Sequence, residues 1–110
     1  MTFQIRISSL AQRDIEDVLR WTLREFGERK YEEYRGLIRE AIETVARNPD
    51  AARRRPELHE AARTFHIGKQ GRRARHFLLL RVAPDGIVEI ARLLYDGMDL
   101  SSHLPEEYMP

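Results

Sequence analysis

The sequence contains no cysteine, which excludes disulfide bonds and thiolate chemistry and fits a reducing cytosol. No apolar run approaches the roughly 18 residues that a transmembrane helix needs, so we expect no membrane-spanning segment and no membrane partner. The N-terminal stretch MTFQIRISSL lacks the basic and apolar regions of a signal peptide. Together these absences predict a cytoplasmic protein.

The chain also lacks the motifs that announce common kinds of site. Its four histidines, His59, His66, His76 and His103, have no carboxylate or second histidine at metal-ligand spacing. There is no glycine-rich phosphate loop and no nucleophile motif. We therefore expect neither a metal nor a cofactor.

The charge is balanced overall but unevenly distributed. The 110 residues carry a net charge of +1 and are enough for one domain, which we expect to span residues 1–110. Residues 47–75 hold nine basic and three acidic residues, whereas the rest of the chain holds ten basic and fifteen acidic ones. A basic segment on an acidic body favours an anionic partner, although a solvated loop of clustered arginines fits equally well.

Two amphipathic helices are predicted in the N-terminal half. Ser8 or Ser9 can cap the first helix, which has apolar residues at helical spacing and ends at Gly27. The second runs from about Glu28 to Arg47. Because a single glycine joins them, the two should form a helical hairpin.

The remaining elements are predicted to be strands. Residues 3–7, 64–67, 76–83 and 87–95 have strand-like patterns, residues 49–62 read as a loop, and residues 99–103 as a short helical turn. The order predicts an α+β fold, β-α-α-β-β-β, in which an antiparallel sheet carries the helical hairpin on one face. The last two strands are apolar on both faces and should be central, so the C-terminal tail or a partner must cover the second face.

The turn Pro84-Asp85-Gly86 predicts how the last two strands pair. If Ala83 lies opposite Ile87, Arg81 faces Glu89 in a cross-strand ion pair. The same register places Arg75 opposite Tyr95, as a cation–π pair. It places Arg92 opposite Leu78, where the arginine has no obvious partner.

Several segments resemble one family of small bacterial proteins. RPELHEAARTFHIG (55–68), HFLLLRVAPDGIVEIARLLY (76–95) and MDLSSHLP (98–105) resemble ParE-type toxins of the RelE/ParE superfamily, and residues 7–28 resemble the family's first strand and helix. The resemblance covers nearly the whole chain. It implies the toxin of a type II toxin–antitoxin system, neutralised by a ParD-like antitoxin, with DNA gyrase as target. RelE-like relatives share this fold but cut mRNA on the ribosome, so fold alone does not identify the target.

An RNA-cutting site would need groups that hold a phosphate and move protons. RelE-like toxins use basic residues on the sheet with a Tyr or His near the C-terminus, which here makes Arg92, Tyr95 and Arg81 the alternative catalytic residues. The tail lacks the His-Tyr ending of several RNA-cutting members, and His103 reads as part of a latch. The position of Tyr95 is often His in ParE members, a departure with no clear consequence. We expect a gyrase-blocking toxin rather than an enzyme; a non-toxic scaffold that only binds the antitoxin is a third hypothesis.

The resemblance implies that the antitoxin wraps the toxin, partly as a helix on the hairpin and partly as an extended segment beside the sheet. The apolar candidates on the helix flanks are Leu10, Trp21, Tyr31 and Leu37. Alternatively, Trp21 and Leu37 meet each other between the helices. The basic candidates, which could steer an acidic antitoxin tail or touch gyrase or its DNA, are Arg53, Arg54, Arg55, Arg72 and Arg73. Few aromatic residues lie among them, so we expect no direct DNA binding without the antitoxin.

Overall fold

The computed structural model describes residues 2–68 and 74–97 of the chain. The elements in this part of the chain are β1 (Ile5–Ile7), α1 (Ser9–Phe26), α2 (Glu28–Arg47), β2 (Arg53–Arg54), β3 (Arg63–His66), β4 (His76–Val82) and β5 (Val88–Tyr95). No helix among the described residues is long and apolar enough to cross a membrane. The predicted helical turn at 99–103, with His103, and the predicted contacts Arg72 and Arg73 lie outside the described residues.

The helices begin and end where local chemistry predicts. The Ser8 side chain accepts a hydrogen bond from the Ala11 backbone N–H at 3.0 Å, as an N-cap should. Gly27 separates the helices with a positive φ of 86°, a conformation that side chains disfavour. Asn48 ends α2, and its side chain accepts from the Asp50 N–H in the 3-10 turn that follows. These signals are local, which explains why the sequence reveals them.

The predicted α+β arrangement is confirmed, but the sheet is mixed rather than wholly antiparallel. Its strand order is β1-β5-β4-β3-β2, and β1 pairs in parallel with β5 while the other three pairings are antiparallel. Short connections fix the direction of β3, β4 and β5. Nearly the whole chain separates β1 from β5, so no turn constrains how they pair. The predicted loop at 49–62 is also wrong in part, since Arg53–Arg54 forms the edge strand β2.

The β4–β5 register follows the predicted turn only for its first residues. Arg81 lies opposite Glu89 as predicted, but a bulge between Leu79 and Leu80 shifts the later pairs by one residue. Arg92 therefore lies opposite Leu79, and Tyr95 lies opposite His76. The predicted pairings of Arg92 with Leu78 and of Arg75 with Tyr95 are each wrong by one position, because a turn determines register only up to the first irregularity.

Apolar residues cover both faces of β4 and β5, as their sequences predict. A helix-side core packs the helices on one face and includes Leu37, Ile38, Val45, Leu78, Leu80, Val88, Ile90 and Leu93. A far-side cluster occupies the opposite face and consists of Ala62, Phe77, Leu79, Ala91 and Leu94, with Leu58 packed against it. Leu78, Leu79 and Leu80 are all fully buried, so the three consecutive leucines alternate between the two cores.

Candidate functional site

Arg92 is held by a carboxylate from α1. Its Nε donates to Asp14 Oδ2 at 2.7 Å, and its Nη2 donates to Asp14 Oδ1 at 3.0 Å. The Arg92 and Asp14 side chains are only 19% and 16% exposed. This hydrogen bonding raises the pKa of Arg92 above its ordinary value, although burial opposes the shift. The expectation that Arg92 has no partner is therefore wrong, since its partner lies 78 residues away in sequence.

The Asp14 carboxylate also accepts a hydrogen bond from the part of the β5 edge that β1 does not pair. The strand β1 covers β5 only as far as Ile90. Beyond that point, the Ser8 hydroxyl donates to the Ala91 carbonyl at 2.7 Å, and the Leu93 N–H donates to Asp14 Oδ2 at 3.0 Å. The start of α1 thus satisfies backbone groups that a longer β1 would have paired. Asp14 and Arg92 together are a structural link between helix and sheet.

Arg81 belongs to a second ionic cluster, at the turn end of the hairpin. Its Nε donates to Glu89 Oε1 at 3.1 Å, and the Arg6 Nε donates to the other oxygen, Oε2, at 3.2 Å. Glu89 is only 7% exposed, so it requires such partners. The predicted cross-strand ion pair is confirmed. It explains the presence of Arg81 in the strand without a catalytic role.

Tyr95 lies at the other end of the hairpin. Arg75 stacks its guanidinium over the Tyr95 ring at 4.7 Å from the centroid, so the predicted contact forms although the two residues are not opposite each other. Arg92 and Tyr95 are three residues apart, so their side chains leave β5 on opposite faces. Arg81 pairs with Glu89, which is roughly 20 Å from Tyr95 along the strand. The structure therefore does not bring the three alternative catalytic residues together.

An open groove lies where α1 ends, α2 begins and the ends of β4 and β5 meet. Its volume is about 490 Å³. It is lined by Trp21, Thr22, Phe26, Lys30, Glu33, Tyr34, Leu37, Ala74, Arg75, His76 and Tyr95. Trp21 and Phe26 are 48% and 58% exposed and meet edge to face, with ring centroids 5.4 Å apart. Two large aromatic rings that remain half exposed in a groove are typical of a docking surface.

The floor of the groove is a hydrogen-bonded pair of half-buried rings. The Tyr34 hydroxyl lies 2.5 Å from His76 Nδ1. Burial raises the pKa of Tyr34 to about 12, so the phenol stays neutral. Burial also lowers the pKa of His76, while the nearby Asp96 carboxylate opposes that shift. Tyr95 completes the floor, with its ring edge-on to His76 at 5.8 Å.

The charged residues described at the rim of the groove are paired with one another. Lys30 Nζ lies 3.7 Å from Glu33 Oε2, and Arg75 Nε lies 3.5 Å from Asp96 Oδ1. Each of these two described cations therefore has a carboxylate partner on the protein itself. Such a rim does not select for a highly charged ligand, and the aromatic lining favours an apolar one.

The four predicted apolar anchors lie in different environments. Trp21 and Leu37 both line the groove, but Leu37 is only 4% exposed and belongs to the helix-side core. Its predicted place on an exposed flank is wrong, because α2 packs against both the sheet and α1 and so buries a wider stripe. Leu10 is 47% exposed on α1 and lies outside the groove lining, and Tyr31 is half-buried on α2.

Phe26 continues the helical spacing of the apolar residues of α1, which predicts that it is buried, yet it is exposed. The sequence also did not predict the Tyr34–His76 pair. Phe26 is the last residue of α1, immediately before Gly27, so the helix ends before this ring reaches the core. The position of Phe26 next to the predicted helix end at Gly27 is the feature of the sequence that could have indicated its exposure. Nothing in the local sequence indicates that Tyr34 and His76, 42 residues apart, form a hydrogen bond.

The basic candidates that the structure describes lie on or next to β2, the edge strand farthest from β1. Arg53 and Arg54 are exposed on β2, and the structure records no ion pair for them with any described residue. Arg55 is half-buried, and its Nε bonds to Glu57. Arg53 and Arg54 are therefore the described members of the predicted set that are available to an anionic partner.

Known proteins match this chain over most of its length. Residues 5–100 match the family described as "ParE toxin of type II toxin-antitoxin system, parDE". Toxin ParE1 from Mycobacterium tuberculosis, in strains CDC 1551 / Oshkosh and ATCC 25618 / H37Rv, is 27% identical over 104 residues, which cover 94% of this chain and 100% of each relative.

A solved structure has the same fold at lower sequence identity. The structure is described as the "Chromosomal ParDE TA system from P. aeruginosa". It superposes with a TM-score of 0.67 at 16% identity, over 86% of this chain and 96% of that one. Because the family match covers far more than half of the sequence, the chain belongs to the ParE toxin family of type II toxin–antitoxin systems.

Proposed function

We propose that this toxin arrests growth by binding and blocking DNA gyrase, and that a ParD-like antitoxin neutralises it. The observation that supports blocking over RNA cleavage is the separation of the candidate catalytic residues. Arg92 is bound to Asp14, Arg81 is bound to Glu89, and Tyr95 lies at the far end of the hairpin from Arg81. Cleavage of a phosphodiester requires such groups to converge on one phosphate.

Supercoiling by purified gyrase tests the proposed target directly. With increasing amounts of the toxin, we expect supercoiled product to disappear, while a parallel in vitro translation reaction continues at its normal rate. Addition of the antitoxin should restore supercoiling. Arrested translation with cleaved mRNA would instead support the RelE-type alternative, and a lack of response in both reactions would support the non-toxic scaffold.

The substitution Tyr95→Phe separates the two toxic mechanisms without disturbing the fold. It removes one hydroxyl and keeps the ring that stacks under Arg75 and against His76. A gyrase blocker should retain growth arrest within about twofold, whereas loss of a proton-transferring group from a nuclease costs about 10²–10⁴-fold in rate. Survival of cells that express Tyr95→Phe at normal levels would argue strongly for the nuclease.

The groove is the surface on which we place the antitoxin. The exposed rings of Trp21 and Phe26, with the paired charges described at the rim, suit the apolar face of a helix. Arg53 and Arg54 are exposed on the edge strand β2. They suit an acidic extended segment of the antitoxin that continues from that helix. In support, the solved structure that shares this fold is described as a chromosomal ParDE TA system.

A further inference from the structure

His76 occupies the centre of the groove floor and touches residues from two other elements. It bonds to Tyr34 on α2 through Nδ1, and its ring packs edge-on against Tyr95 on β5. The position is only half-buried in the free toxin, so water still reaches it. Any apolar segment that fills the groove will cover the imidazole and remove that water.

The contact between Tyr34 and His76 favours one tautomer of the imidazole. Because the pKa of Tyr34 is raised to about 12, the phenol keeps its proton and can donate it. In the tautomer that makes His76 Nδ1, 2.5 Å away, the acceptor of this proton, the ring hydrogen is on Nε2. Protonation of Nδ1 would replace this acceptor with a donor and would place a positive charge on the groove floor.

We propose that occupation of the groove by the antitoxin is coupled to loss of a proton from His76, so that acidification weakens the complex. This inference rests on the proposed docking of the antitoxin in the groove. The imidazolium form is solvated in the free toxin, but beneath an apolar helix it would lose its water and gain no new acceptor. Binding therefore selects the neutral ring that Tyr34 already stabilises.

The described charged groups around His76 are engaged with other partners. From α2, Lys30 and Glu33 pair with each other at the rim, and α1 contributes no charged side chain to the groove lining. Arg75, next to His76 in sequence, is stacked on Tyr95 and paired with Asp96. Among the described residues, Asp96 favours protonation of His76, and burial outweighs it.

The sign of the coupling follows from which form is bound. The free toxin protonates His76 below its pKa, which is already lower than the ordinary value of about 6.5. The complex protonates it only at still lower pH. Affinity should therefore be constant at pH 6.5 and above and should fall once the pH drops below the pKa of free His76, approaching about tenfold per pH unit for a single proton.

Calorimetric titration of the full-length toxin with its purified antitoxin, between pH 5 and 8, tests the coupling. We expect the fall in affinity described above, with uptake of a proton by the buffer when binding occurs near the pKa of His76. The variant His76→Gln keeps a side-chain acceptor for Tyr34 but cannot titrate, so its affinity should not change across this range. Circular dichroism of both proteins at each pH establishes that they remain folded.

A second variant provides an independent readout. Tyr34→Phe removes the donor that stabilises neutral His76, so the pH at which affinity begins to fall should rise, and NMR should show the same upward shift of the His76 pKa in the free toxin. A flat wild-type profile, or an unchanged slope in His76→Gln, would overturn the coupling while leaving the docking site intact. Absence of binding at every pH would overturn the docking proposal and the coupling with it.

Discussion

The substitution Asp14→Ala is expected to lower the free energy of unfolding by about 3 kcal/mol, a large part of what holds a domain of this size together. It removes two hydrogen bonds to Arg92 and one to the Leu93 backbone. The guanidinium, only 19% exposed, would keep its charge and lose its partner. Urea denaturation followed by circular dichroism measures the effect.

A matched control lies one turn further along the same helix. Asp17 also pairs with an arginine, Arg20, but at 3.3 Å and with both side chains more than 60% exposed. Asp17→Ala should change the free energy of unfolding by less than about 0.5 kcal/mol, because exposed pairs contribute little. Equal losses for the two alanine variants would contradict the structural role of Asp14. The double variant of Asp14 and Arg92 should cost less than the sum of the single ones, as expected for coupled residues.

The substitution Trp21→Ala is expected to weaken antitoxin binding at least 30-fold, which corresponds to about 2 kcal/mol. Trp21 is the largest side chain of the groove lining and is 48% exposed in the free toxin. An apolar helix in the groove would bury the remaining half of the indole. Because the ring is already half exposed, the melting temperature should change little. Surface-immobilised antitoxin and a thermal melt of each variant provide the two measurements.

Leu23 provides the control for this prediction. It is 42% exposed on the same helix, yet it does not line the groove. Leu23→Ala should therefore leave antitoxin affinity within about threefold of wild type, as most contacts outside a hot spot do. If Leu23→Ala weakens binding as much as Trp21→Ala, or if neither variant does, the antitoxin docks on another surface.

The fate of Arg92 illustrates why site residues are hard to predict from sequence. In the strand pattern it is a charged residue without an opposite charge across the ladder, which is the usual reason to suspect function. Its partner Asp14 comes from the other end of the chain and could only be found once α1 was packed beside β5. The same packing explains Leu37, which a single helical stripe leaves exposed but two neighbouring surfaces bury.

Local chemistry in the sequence determines the elements of this protein. The Ser8 cap and the positive φ of Gly27 set the bounds of the helices, and Gly86, with a φ of 83°, sets the hairpin turn. The consecutive leucines of β4 point to alternate faces and are buried on both. The sequence therefore also predicts that the β4–β5 hairpin lies in the centre of the sheet. Each of these features depends on residues within a few positions of one another, and periodicity reports such neighbours reliably.

The tertiary structure alone decides how those elements meet. It pairs β1 in parallel with β5 and brings Asp14 to Arg92. It also introduces the bulge at which Ala91 of β5 has no partner in β4, between the pairs Leu79–Arg92 and Leu80–Ile90. It also assembles the groove from the end of α1, the start of α2 and the ends of two strands. These contacts join residues tens of positions apart, and their energies depend on packing geometry that no local pattern encodes. The secondary-structure elements and the family can therefore be predicted from the sequence. The groove proposed to bind the antitoxin can be identified only from the tertiary structure.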